Sequence, residues 1–229
     1  MPLLMSPKSS LAALLVIGLG SIGLSEDLIT WEKRHLDSKF YSEGAGFGDV
    51  NKDGNMDVLS GPFAWLGPDF SEKIEIYQPK EVDPKGYSDN FLNFSYDINQ
   101  DGWIDYLVIG FPGAETRWYE NPKGKAGHWP VHSALKVTDN ESPNFADITG
   151  DGQPEIICSV EGVFGYAAID STDPTKPFVW HPISAKGIAG GRFTHGLGIG
   201  DVDGDGRMDL LDKGRWQQQP KSLDSDPEW

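Results

Sequence analysis

The sequence predicts an all-β chain built from repeated antiparallel units of four short strands. Three observations point there. First, 28 glycines and 16 prolines among 229 residues impose frequent chain reversals and leave little room for long helices. Second, one nine-residue motif occurs four times: DVNKDGNMD from Asp49, DINQDGWID from Asp97, DITGDGQPE from Asp147 and DVDGDGRMD from Asp201. Third, each copy runs into a short apolar, β-prone segment, namely VLSG, YLVIG, IICSV and LLD, which reads as a strand leaving the motif.

Residues 1–25 differ from the rest. Lys8 lies in a short polar lead, an apolar run extends from Leu11 to Leu24, and the small residues Gly23 and Ser25 precede Glu26. This is the pattern of a secretory signal peptide, and its fourteen-residue apolar run is shorter than the roughly 20 residues that span a bilayer. The expected product is exported, to the periplasm or the extracellular space, with no membrane span after cleavage. Cys158 is the one cysteine, so an internal disulfide is excluded and stabilisation must come from elsewhere, with bound metal the obvious candidate. Removing residues 1–25 takes away Lys8 and no acid, leaving 18 basic and 35 acidic residues and a net charge of −17. Nucleic acid is thereby an unfavourable partner.

The motif starts lie 48, 50 and 54 residues apart. Such a period marks stacked supersecondary units and overlaps that of β-propeller blades with four strands each. A downstream aromatic accompanies each unit (Trp65, Trp118, Tyr166 and Trp216) and is expected in the inner packing. Upstream, Trp31 lies 18 residues before Asp49, Trp129 lies 18 before Asp147 and Trp180 lies 21 before Asp201, with His35, His132 and His181 close by. These histidines read as repeated structural residues at strand edges. Trp229 stands where the next such marker belongs, so the 26–229 region is expected to be the front part of a longer array, an incomplete propeller truncated at its C-terminus.

Within each motif, positions 1, 3 and 5 carry oxygen-bearing side chains: Asp49, Asn51, Asp53; Asp97, Asn99, Asp101; Asp147, Thr149, Asp151; and Asp201, Asp203, Asp205. Position 6 is always glycine. Position 7 (Asn55, Trp103, Gln153, Arg207) would offer its backbone carbonyl, and position 9 (Asp57, Asp105, Glu155, Asp209) closes the set with a carboxylate. Calcium takes six to eight oxygens, and alternate positions on a tight glycine-bearing loop can converge on it. An EF-hand closes at position 12, which here holds Ser60, Val108, Cys158 and Asp212, so that reading fails. Zinc is disfavoured because no cysteine or histidine lies in any loop. Magnesium suits such a cage less well than calcium. The loops hold 13 of the 35 acidic residues, so about four calcium ions would bring the charge from −17 to −9.

At these residues the sequence resembles the FG-GAP and VCBS repeats, integrin-α-like β-propeller units with calcium loops of the form DxDxDGxxD. FGDVNKDGNMDVLSG (Phe47 to Gly61) and LGIGDVDGDGRMDLL (Leu197 to Leu211) carry the likeness best. The resemblance implies metal ligation at the first, third, fifth and ninth residues of each loop, with Thr149 and Glu155 as departures in the third. It also implies a propeller commonly of seven blades, more than four motifs supply. The favoured function is a non-enzymatic binding or scaffold module for an unidentified protein or carbohydrate ligand. The alternative is a propeller enzyme of polysaccharide lyase or hydrolase type with a site near Arg192 and His195 in GGRFTHGLGIG. A structural role for that pair is favoured, because no set of acid, base and nucleophile surrounds it.

Overall fold

The computed structural model describes residues 30–229, so the expected signal peptide lies outside the described residues. The chain divides into two compact units, Met1–Arg34 and His35–Trp229, and all strands of the described residues fall in the second. No helix is present among the described residues, and none is long and apolar enough to cross a membrane.

Every strand pairs antiparallel with its sequence neighbour. The first sheet joins β1 (Gly46–Gly48), β2 (Asp57–Ser60), β3 (Phe63–Trp65) and β4 (Lys73–Glu75) in that order. Next come β5 (Leu92–Tyr96), β6 (Asp105–Ile109), β7 (Ala114–Tyr119), β8 (Val131–Ala146), β9 (Glu155–Val160), β10 (Val163–Ala168) and β11 (Val179–Pro182), which form one sheet of seven. The last sheet has three strands, β12 (Gly198–Gly200), β13 (Asp209–Asp212) and β14 (Arg215–Gln217).

The expectation of separate four-stranded units therefore holds for the first sheet and is modified afterwards. β8 is 16 residues long and serves two repeats, pairing with β7 through Val131–Thr138 and with β9 through Asp139–Ala146. Its register breaks between Asp139 and Asn144, where Asn140 takes a left-handed φ of 82°. The ladder bonds lost there are replaced from another segment: Asn140 N–H donates to Arg192 O at 2.7 Å and Glu141 N–H to Thr194 O at 2.9 Å.

The core lies between successive repeats. In β6 alternate side chains point to opposite faces, and both faces are covered: Tyr106 and Val108 pack with Val50, Leu59 and Ile76, whereas Leu107 and Ile109 pack with Ile98, Trp118 and Ile156. β9 repeats the arrangement, sending Ile156 and Cys158 to one core and Ile157 to the next, with Ile148, Phe164 and Leu210. This double burial explains why the segments after the motifs are continuously apolar. Trp65, Trp118 and Tyr166 are buried as expected. Trp216 is 43% exposed, because no repeat covers its face among the described residues.

The upstream markers divide. His132 on β8 stacks over Trp118 at 4.5 Å between centroids, and His181 on β11 over Tyr166 at 4.8 Å. His35 belongs to no strand, and Trp31 is 91% exposed. The strand-edge reading thus holds for two histidines and not for His35.

Candidate metal centre

The four motifs occupy one place in the fold. Each is the turn that links the first strand of a repeat to the second: β1 to β2, β5 to β6, the end of β8 to β9, and β12 to β13. Three hydrogen bonds recur in all of them. One carboxylate oxygen of position 1 accepts the N–H of the position-6 glycine, at 2.9 Å for Asp49, 2.7 Å for Asp97, 2.9 Å for Asp147 and 2.9 Å for Asp201. The position-5 aspartate accepts the N–H of position 7, at 2.8, 2.9, 2.8 and 3.0 Å for Asp53, Asp101, Asp151 and Asp205. The closing residue accepts the N–H of position 2, at 2.8, 2.9, 3.0 and 3.0 Å for Asp57, Asp105, Glu155 and Asp209.

These bonds wrap the backbone around the acidic side chains. The winding needs left-handed residues at position 6, where Gly54, Gly102, Gly152 and Gly206 have φ between 86° and 91°. Position 4 is left-handed too, with Lys52 at 61°, Gln100 at 56°, Gly150 at 81° and Gly204 at 78°. Glycine in two of the four copies was the one sequence signal for that second position.

The closing aspartates do more than the motif spacing suggested. Asp57, Asp105 and Asp209 are fully buried, and their other oxygen accepts a second backbone N–H from the turn after the third strand: Gly67 at 2.9 Å, Asn121 at 2.8 Å and Gln219 at 2.9 Å. Each therefore staples the motif to a later turn of its own repeat. In the second and fourth repeats that turn reaches back across the repeat boundary, Asn121 Nδ2 donating to Val50 O at 2.8 Å and Gln219 Nε2 to Ile148 O at 2.6 Å.

The third loop solves the closure differently. The longer Glu155 still reaches Ile148 N–H, so no refolding of the turn is needed, and its other oxygen accepts the Thr149 hydroxyl at 3.1 Å. The two departures from the motif thus compensate each other. Oxygens of Asp147, Asp151 and Glu155 lie within 4.8 Å of one another, as do those of Asp201, Asp203 and Asp209.

Cationic side chains already attend two loops. Lys123 Nζ sits 3.0 Å from Asp101, and Arg207 pairs with Asp205 while its Nε donates to Gln219 O at 3.1 Å. The Arg207 guanidinium folds back over its own loop, where the Asp205 carboxylate and the Gln219 carbonyl lie within reach. Burial disfavours the charge of Asp101, but Lys123, Trp103 N–H and Asn99 outweigh it and hold the carboxyl below its ordinary range. Burial pushes Asp105 and Glu155 up to about 7, against the backbone donors that favour their ionised forms.

Arg192 and His195 each pair with an acid of β8. Arg192 Nε bonds Asp139 at 2.9 Å, His195 Nδ1 lies 3.1 Å from Glu141, and both acids belong to the irregular middle of β8.

Residues 97–158, from the second motif to the strand that follows the third, match the family description of the FG-GAP-like repeat. This segment is similar to FG-GAP-like repeats. No curated protein matches the chain. The matched segment covers β6, β7, β8 and the first part of β9 in the seven-stranded sheet and includes the closing residues Asp105 and Glu155. The same three loop bonds extend its pattern to the motifs at Asp49 and Asp201, outside the matched residues.

Proposed function

We propose that this chain is an exported, β-propeller-like repeat module whose four acidic loops each hold a calcium ion, and that it serves as a binding or scaffold element for a protein or carbohydrate ligand. One observation carries the calcium reading. Four loops with unlike sequences share one backbone winding, and in the third and fourth three carboxylates lie within 4.8 Å of one another, a convergence of like charges that a divalent ion relieves. The donors are all hard oxygens: side chains of positions 1, 3, 5 and 9 and the carbonyl of position 7. Hydrogen bonds occupy the carboxylate oxygens with one N–H each in most cases, which leaves lone pairs for a cation. Positioned by turns that also tie one repeat to the next, the ions would stiffen the repeat boundaries rather than act on a substrate.

Isothermal titration of chelator-treated protein tests this reading. Binding of about four calcium ions per chain, reduced by one in Asp201→Ala, is the expected result. No heat of binding, or an unchanged stoichiometry in the variant, contradicts it.

A further inference from the structure

We propose that a row of three aromatic side chains, Tyr87, Phe111 and Phe193, binds a neutral linear oligosaccharide, with Arg192 and His195 holding its hydroxyls. The site gives a ligand to the binding module inferred above and rests on that reading. It lies away from the acidic loops: β6 begins at the closing Asp105 and ends just before the turn that carries Phe111.

The three rings come from distant parts of the chain. Tyr87 belongs to the connection from β4 to β5, Phe111 to the β6–β7 turn and Phe193 to the connection from β11 to β12, so all precede the last sheet. Ring centroids follow one another at 4.6 Å from Tyr87 to Phe111 and 5.7 Å from Phe111 to Phe193, and Phe91 supports Phe111 edge-on at 5.7 Å. Folding has thus brought the rings together without covering them, for Tyr87 is 64% and Phe193 54% exposed. Contiguous apolar surface left open to water marks an interaction site.

Each ring is fixed through its backbone. Ser88, next to Tyr87, donates its N–H at 3.0 Å and its hydroxyl at 2.5 Å to Glu43. In the turn of Phe111, Gly113 N–H donates to Thr138 O at 2.7 Å and Ala114 N–H to Phe111 O at 2.8 Å. Phe193 is clamped on both sides, because Arg192 O and Thr194 O accept the N–H groups of Asn140 and Glu141 at the break in β8. The left-handed Asn140 and the broken register therefore have a use: they hold residues 192–194 in place, as irregularities beside binding sites do.

The polar groups are set in the same way. Asp139 is buried, its Oδ1 accepting Arg192 Nε at 2.9 Å and its Oδ2 accepting Glu161 N–H at 2.9 Å. The guanidinium lies against Gly113, where an added Cβ would come within 2.5 Å of it. Its Nη groups have no acceptor among the described residues, and the side chain is half exposed. His195 faces Glu141 through Nδ1 at 3.1 Å, which leaves Nε2 for a ligand.

This arrangement selects the class of ligand. The apolar track is one ring wide and has polar flanks, Ser88 beside Tyr87 and Arg192 and Thr194 beside Phe193. A sugar chain has the matching form, with C–H faces along its middle that lie on aromatic rings and hydroxyls along its edges that reach planar donors. An acidic glycan fits less well. Arg192 and His195 are already matched by Asp139 and Glu141, and the chain carries a net charge of −16.

Isothermal titration of the full chain in calcium with cellohexaose, xylohexaose, mannohexaose and laminarihexaose tests the proposal. At least one is expected to bind, and hexagalacturonate more weakly. Tyr87→Ala and Phe193→Ala, both at exposed positions, should each weaken binding roughly tenfold with parental circular dichroism, and Arg192→Gln should weaken it about as much. No heat with any neutral hexaose, parental affinity in the two ring variants, or tighter binding of hexagalacturonate would overturn the proposal. Calcium stoichiometry measured on the same samples separates this from the metal reading. Ions bound without sugar would remove the glycan site alone and leave a protein as the partner of the module.

Discussion

At the scale of single residues, Lys123 and Arg207 stand where they compete with a bound cation for Asp101 and Asp205. Lys123→Ala should therefore strengthen calcium binding at the second loop, by roughly threefold to tenfold at low salt and less at high salt. Titration of the variant against the parent checks this, and weaker binding would mean that Lys123 shapes the loop instead of opposing the ion. The fourth loop has the most carboxylates, and its advantage in charge is partly cancelled by Arg207, so Arg207→Gln should reveal the larger gain. Asp105 and Glu155 give a pH dependence of their own. Their carboxyls titrate at about 7 in the folded, metal-free chain, above the ordinary unfolded values near about 4. The folded state thus binds more protons between these limits, and the stability these groups contribute is full below about pH 4 and lost as pH rises through about 7. In chelator, Asp105→Asn and Glu155→Gln should flatten the fall in melting temperature between pH 5 and about pH 8. An equal fall in parent and variants would place its origin elsewhere.

At the scale of the loop and its strands, position 9 and position 5 have separable roles. Asp209 is buried and accepts two backbone N–H groups from different turns, whereas Asp205 lies at the loop surface. Asp209→Ala should cost about 2–4 kcal/mol even in chelator, because two buried donors lose their acceptor. Asp205→Ala should cost under about 1 kcal/mol in chelator while removing much of the calcium response of its loop. Urea unfolding of both variants with and without calcium separates the two, and equal losses in chelator would contradict the staple. The loop was legible in the sequence because its ligands and glycine sit at fixed short spacings. The staple was not, since its second partner lies 10 to 16 residues on and is a glycine, an asparagine or a glutamine. Likewise Thr149 and Glu155 read as two defects one at a time. Their contact at 3.1 Å makes them one compensated pair.

Over the whole molecule, the repeat period located the strand that follows each motif, and the two internal repeats bury both faces of that strand, β6 and β9, against their neighbours. It did not reveal that β8 would serve two repeats, which depends on Asn140 and on backbone partners supplied from Arg192 and Thr194 far along the chain. Nor could it show that Trp216 would lie exposed, since exposure there depends on what packs on the last sheet and not on the residue type. The same architecture sets the reach of a bound ion. Each loop adjoins a turn that crosses a repeat boundary, so calcium should stabilise the row of repeats together and not one loop alone. Thermal melting in chelator, in calcium and in equimolar magnesium is the most direct measurement. An ion bound only by the folded chain at a hundredfold its Kd adds about 2.7 kcal/mol per site. Calcium is predicted to raise the melting temperature by several degrees over chelator and by more than magnesium does, in one cooperative transition. Superimposable curves in chelator and calcium would contradict the calcium reading of all four loops.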